Sequence, residues 1–336
     1  MTRSSTLGVV SGPLGIAVSL ILLSAAPALA QPVRVAKVGF LSAGPAPAPG
    51  TSLPLREALL RGLGELGWIE GKNLALDARY AAWKLESLPG LAGELVDAKV
   101  DLIVTGGYRP ILAARAVAAT SGIPVVVTSC DPVEVLVGSL ARPGGNMTGS
   151  TCMSAELSPK KLQLLKEAVP SVSRIAVLFN PDDPGPTLGM KLMQEAAPSL
   201  QVRLQPFRVS TDAEVADALV TLGRAPPDGL LVYPDFVTGR NRPKILEFAA
   251  KQRLPAMYGF REWADAGGMM SYGSNLQEQF YRAAFIIDKI LKGAKPGDIP
   301  IEQPTRFELV VNLRTARMLG VNISPSVLGR ADQILE

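Results

Sequence analysis

A chain of 336 residues, 47% hydrophobic and 19% charged, has room for two domains with separate cores and too much apolar material to remain unfolded as a whole. Its formal net charge of +4 is spread without a basic run, which excludes a nucleic-acid stripe. Histidine is absent, so Ser-His-Asp and Cys-His catalysis and metal sites built on imidazole are excluded, leaving lysine and carboxylate chemistry open to an enzyme.

Residues 1–30 have the layout of a secretory leader. Arg3 and the amino terminus precede an uncharged segment from Leu7 to Leu23, and Ala28-Leu29-Ala30 supplies the small residues of a cleavage site before Gln31. Pro13 and Pro27 interrupt the apolar run below the ~20 residues that a bilayer crossing prefers. No cysteine lies near the cleavage site to take a lipid. The mature chain is therefore expected to be exported, without a membrane span, to the periplasm.

Val33–Leu41 reads as the first strand, followed by a Gly/Pro/Ala-rich loop from Ser42 to Ser52. Leu53–Leu66 has helical apolar spacing closed by Gly67, Asn73–Tyr80 alternates as a strand, and Leu85–Val96 is again helical. Asp101–Thr105 and Pro124–Thr128 are short strands around a helix at Pro110–Thr120. Their apolar centres leave no polar face, as in a parallel sheet covered on both sides. Pro143–Asn146 breaks the pattern and is a candidate hinge, with Pro143 to Thr148 as one hinge segment.

The alternation then restarts. Helices are predicted over 159–168, 187–197, 212–222 and 242–251, and strands over 174–179, 202–207, 229–233 and 256–258. Beyond them lie a strand at 268–272, a long amphipathic helix at 276–291 ended by Gly293, a proline-rich return at 295–301, a strand at 307–312 and a helix at 313–319. The fold class is α/β, with two consecutive Rossmann-like lobes.

Several polar strand ends share the side of an α/β sheet where ligands bind. They are Ser42, Gly107-Tyr108, Asp131, Asn180, Tyr233 with Asp235, and Phe260-Arg261. Glycine, proline, aspartate and asparagine there are equally ordinary turn formers; Tyr108 and Tyr233 are not. Asp131 suits a ligand ammonium, and Arg261 or the Gly106-Gly107 turn a carboxylate. Cys130 beside Asp131 has no partner to hold it as a thiolate, which leaves it a buried apolar group or half of a disulfide with Cys152. Neither a G-x-G-x-x-G turn nor a Walker lysine motif occurs, and neither a cofactor nor a metal is expected.

Five blocks in order carry a family resemblance: SCDPV (129–133), RPGGNMTG (142–149), KKLQLLKEAVPSVSRIAVLFNP (160–181), EWADAGGMMSYG (262–273) and FELVVNLRTARMLG (307–320). Over roughly Arg34 to Ile323 the chain resembles the ABC-transporter substrate-binding proteins that include tryptophan- and phenylalanine-binding members. The resemblance implies a type I periplasmic binding protein. Its two lobes are joined by three crossovers, the first formed by 34–146 with 268–293 and the second by 147–267 with 294–336. It also implies a cleft closing on a small solute, contacts from Ser42, Ala43, Gly107, Tyr108, Asp131, Asn180, Asp235, Phe260 and Arg261, and a monomer that docks on a membrane permease. A Gly-Gly-Tyr-Arg-Pro loop replaces the Gly-Thr-Pro of many members, and Cys130 stands where a non-thiol residue is usual. The expected function is the solute-binding component of an importer for an amino acid, organic acid or aromatic metabolite. The competing readings are an exported enzyme using Asp131, Asp235 or Glu262, and a ligand sensor of the same fold.

Overall fold

The computed structural model describes residues 34–48, 50–51 and 53–336, together with Met1 and Gly8. The expected leader and its cleavage site lie outside the described residues.

The chain from Val35 onward builds two sheets. The first is formed by β1 (Ala36–Ser42), β2 (Leu74–Tyr80), β3 (Leu102–Gly106), β4 (Val125–Ser129) and β5 (Met147–Thr151), all parallel in the order β2-β1-β3-β4-β5. Between them run α1 (Pro54–Glu65), α2 (Leu88–Asp97) and α3 (Tyr108–Ser121). Parallel neighbours demand such crossover helices, and strands covered on both faces are apolar throughout: Ile103, Val104, Val125, Val126 and Val127 have no exposure.

The next stretch contains α4 (Ser158–Ala168), β6 (Arg174–Phe179), α5 (Pro184–Ala196), β7 (Arg203–Arg208), α6 (Asp212–Arg224), β8 (Gly229–Val232), α7 (Phe236–Arg240), α8 (Arg242–Lys251), β9 (Ala256–Tyr258), α9 (Arg261–Asp265) and β10 (Met270–Gly273). Then come α10 (Leu276–Leu291), β11 (Glu308–Asn312), α11 (Leu313–Leu319), α12 (Pro325–Leu328) and β12 (Gln333–Leu335). The second sheet runs β12-β11-β10-β9-β8-β6-β7, with β11 antiparallel to β10. Both sheets thus place the first strand of the series between the second and third. This reversal opens a crevice at the carboxyl ends of the strands.

The expectation of two α/β lobes with three crossovers holds, and the crossings are at Cys152–Leu157, Ser274–Asn275 and the stretch from Gln303 to Phe307. Helix α10 follows a second-sheet strand but packs with α1 on the first sheet, where Phe280, Ala284 and Ile287 join Leu59, Leu63 and Val38 in one core. The sequence-based lobe boundaries need correction. Met147–Thr151 belongs to the first sheet, Met270–Gly273 to the second, and residues 299–302 run beside β5 in the first lobe. Glu302 N–H donates to Gly149 O (2.8 Å), Thr151 N–H to Glu302 O (2.9 Å) and Thr148 Oγ1 to Ile299 O (2.7 Å). The expected hinge at Pro143–Thr148 is therefore partly strand. Gly149 lies so close to the Val127 backbone that any Cβ would collide with it.

Helix α5 begins three residues before its predicted start. Pro184 and Pro186 sit in its first turn, where a missing N–H costs nothing. Cys130 and Cys152 form a disulfide with Cα atoms 4.7 Å apart, tying the loop after β4 to the first residue after β5.

Candidate ligand cleft between the lobes

The carboxyl ends of both sheets enclose a cavity of about 220 Å3. From the first lobe come Ser42 and Ala43 after β1, Gly107 and Tyr108 at the start of α3, and Cys130 and Asp131 after β4. The second lobe contributes Asp183 and Pro186 around the start of α5, the run from Tyr233 to Phe236 after β8, and Phe260 after β9. Eight of the ten residues expected from the sequence line this space: Ser42, Ala43, Gly107, Tyr108, Asp131, Tyr233, Asp235 and Phe260.

Asn180 and Arg261, also expected from the sequence, are not among the lining residues. The Asn180 side chain closes its own turn, with Oδ1 accepting from Asp182 N–H (3.0 Å) and the Ser210 hydroxyl (3.3 Å). Arg261 reaches along α9 to Asp265 (Nε to Oδ2, 3.1 Å). The sequence reading missed Asp183, Phe236, Phe40 and Phe280. Asp183 stands three residues beyond Asn180 and Phe236 one beyond Asp235, which was the available signal.

Polar and aromatic contacts join the lobes around the cavity. Gly185 N–H in α5 donates to Asp131 Oδ1 (2.8 Å). Arg109 Nε donates to Asp183 Oδ1 (3.0 Å), and its Nη2 reaches Asp182 O (3.5 Å). The rings of Trp83 and Phe236 lie 6.2 Å apart. Phe236 also covers Gly107, where a Cβ would run into the ring; the φ of +78° at Gly107 is a second reason for glycine.

Charge in the cleft is lopsided. Burial pushes the Asp131 carboxyl up to about 7, opposed by the Gly185 N–H and increased by the nearby Asp183 charge, with Arg109 opposing more weakly. Asp235 is likewise pushed up to about 7 by burial, against the Thr238 N–H that bonds its Oδ1 (2.8 Å). Asp183 is raised by burial despite Arg109. Asp235 Oδ2 and the Tyr233 hydroxyl have no hydrogen-bond partner among the described residues. Behind Tyr233, fully buried Lys161 holds Ser154 through its carbonyl (3.2 Å) and hydroxyl (3.1 Å), with Nζ 5.5 Å from the Tyr233 ring centroid. Burial lowers Lys161 to about 7.

Cys130 is a disulfide sulfur rather than a free thiol. Among the described residues no cluster of three or more Cys, Asp or Glu side chains is arranged to hold a metal ion. Such an arrangement can grip an apolar solute through rings and meet a positive charge with carboxylates.

Comparison with known proteins gives a consistent set of relatives. A family model described as ABC transporter substrate binding protein matches residues 51–335. A tyrosine-binding protein of Clostridioides difficile (strain R20291) is 26% identical over 268 residues, covering 79% of this chain and 76% of that protein. A conserved domain protein from Vibrio cholerae superposes with a TM-score of 0.80 at 26% identity, covering 90% of this chain and all of the other. A Streptococcus pneumoniae ABC domain in complex with L-Trp also has a TM-score of 0.80, at 23% identity and the same coverage.

Proposed function

The chain belongs to the ABC transporter substrate-binding protein family, and from that premise we propose that its interlobe cavity holds a small aromatic solute bearing an ammonium group. It is a solute-binding component that works with an ABC permease, not an enzyme. The observation that carries the choice of solute is the lining itself: the rings of Phe40, Tyr108, Tyr233, Phe236, Phe260 and Phe280 surround a space edged by Asp131, Asp183 and Asp235. Apolar rings supply contact area, and carboxylates in a low dielectric favour a ligand cation. The relatives described as binding tyrosine and in complex with L-Trp support the same class.

Function follows from differential contact. A solute touching both lobes favours the arrangement in which Arg109 meets Asp183 and Asp131 meets Gly185, and the closed outline is what a permease distinguishes. Closure needs no nucleophile.

Mass spectrometry of small molecules released from gently purified protein tests the solute class directly. An aromatic ammonium compound is the expected result, bound at one site per chain in calorimetry; a sugar or an aliphatic acid would overturn the reading. The export reading places a mature monomer starting at Gln31 in the periplasm. No helix among the described residues is long and apolar enough to cross a membrane. Charges at Leu20, Ile21 and Leu22 are expected to abolish export in cell fractionation, and normal export of that variant would refute the leader.

A further inference from the structure

An α-amino acid brings a carboxylate along with its ammonium, and the cavity has little to offer that carboxylate. Among the described residues three aspartates line the space, and no lysine or arginine side chain does. The guanidinium of Arg109, next to Tyr108 in the chain, is engaged by Asp183. Lys161 lies behind the Tyr233 ring and is tied to Ser154.

Helix N-termini are the usual alternative for holding an anion. Among the described residues six helices begin at the cavity, and each start is covered, capped or already negative. Asn275 caps α10 by accepting from the Glu278 N–H (2.9 Å), and the five-residue α9 carries Glu262 in its first turn. Phe236 covers Gly107 at the start of α3, and the Gly107 N–H is directed to Thr128 O (3.3 Å). At the start of α5, the Gly185 N–H is taken by Asp131, beside the Asp183 carboxylate. Asp235 caps α7 with its own Oδ1. Helix α1 opens on Pro54, which has no N–H, and carries Glu57 in its first turn.

A carboxylate placed here would meet the Tyr233 hydroxyl but no cationic side chain, and would stand beside three aspartates, which is unfavourable. An ammonium, in contrast, meets carboxylates that lack their full set of donors, since Asp235 Oδ2 has none among the described residues. The cavity volume of about 220 Å3 lies below the ~300 Å3 where ordinary ligand pockets begin, which suits one ring on a short chain.

We propose that this cavity selects arylalkyl primary amines lacking a carboxylate over the corresponding amino acids. This rests on the aromatic-ammonium reading of the same site and narrows it.

The test is calorimetry at pH 8 with phenethylamine and tyramine against phenylalanine, tyrosine and 3-phenylpropionate. The amines are expected to bind at least tenfold more tightly than their amino acids, and 3-phenylpropionate not at all. Asp131→Asn and Asp235→Asn keep the acceptor oxygens that serve Gly185 and Thr238 while removing charge, and each is expected to weaken tyramine at least tenfold with an unchanged circular dichroism spectrum. Phe236→Ala uncovers the start of α3 and is expected to narrow the gap between tyramine and tyrosine. Tyrosine or phenylalanine binding as tightly as the amines would overturn the proposal while leaving the aromatic-ammonium reading in place. No binding by any of the five, with a non-aromatic solute released from the purified protein, would remove both.

Discussion

Gly185 and Asp131 belong to different lobes, and a 2.8 Å hydrogen bond from the Gly185 N–H to Asp131 Oδ1 joins them. The donor sits in the first turn of α5, where backbone amides point outward and the helix dipole is positive. One carboxylate thus serves two purposes, fastening the lobes through one oxygen and lining the solute cavity. Asp131→Ala is expected to weaken solute binding more than tenfold and to shift small-angle scattering toward an extended form. Asp131→Asn keeps an acceptor for Gly185, so its scattering profile should stay near the wild type even where affinity falls. An Ala variant with the affinity and profile of the wild type would remove Asp131 from both roles.

Gly107 makes the equivalent apolar closure. Its φ of +78° and the Phe236 ring over it leave no room for a side chain. Gly107→Ala is expected to hold the lobes apart and to reduce affinity at least tenfold, with an added stability cost of about 1 kcal/mol from the backbone. Removing the obstacle provides the control. In Gly107→Ala with Phe236→Ala, part of the affinity lost in the glycine variant should return, and the coupling in a double-mutant cycle measures the contact. Strict additivity of the two losses would show that Gly107 and Phe236 act separately.

The Cys130–Cys152 bond closes a loop of sequence separation 22 between the cavity floor and the first crossover. Constraint of an unfolded loop of this size is worth about 3 kcal/mol. Cys152→Ala is expected to lower Tm by roughly 5–10 °C at that magnitude. Treatment of the wild type with a reductant should give the same fall. Equal melting of the oxidised wild type and the variant would mean that the bond contributes nothing to the folded chain.

How far the fold was legible depended on where each element finds its partners. Strands such as Leu102–Gly106 announce themselves because both faces are buried by their own crossover helices. Met147–Thr151 did not, since its small polar residues look like a linker. Their burial comes from residues 299–302, about 150 positions further on, which no local pattern reveals. The same distinction runs through the site. Asp131, Tyr233 and Asp235 could be found from the rule that ligands meet strand carboxyl ends. Asn180 and Arg261 share that address but turn to Ser210 and Asp265, a choice made by rotamers rather than by sequence position. Asp183 and Phe236 were missed because they come into the cavity from helix starts just past the strand ends.

The two raised carboxyls give the stability of the empty protein a definite slope with pH. Asp131 and Asp235 have folded pKa values pushed from 3.8 to about 7 by burial. Between these values the unfolded chain has released protons that the folded chain still holds, so the unfolded state binds fewer, and stability falls as pH rises. The favourable contribution is fully present below about 4 and lost on passing through 7. Lys161, lowered to about 7, opposes this slope only above that pH, where the unfolded chain keeps a proton that the folded chain has released, so it offsets part of the fall between 7 and 8. The solute-free wild type is therefore expected to melt at a lower temperature at pH 8 than at pH 5.5. Asp131→Asn with Asp235→Asn should flatten that difference and raise Tm at pH 8 by a few degrees, each kcal/mol being worth about 2–4 °C. A cationic solute reverses the penalty by pairing with the ionised carboxylates, so the wild type should gain more Tm from saturating tyramine at pH 8 than at pH 5.5, a difference absent in the double variant. A wild-type melting temperature that rises from pH 5.5 to 8 would show that these carboxyls are not buried as protonated groups.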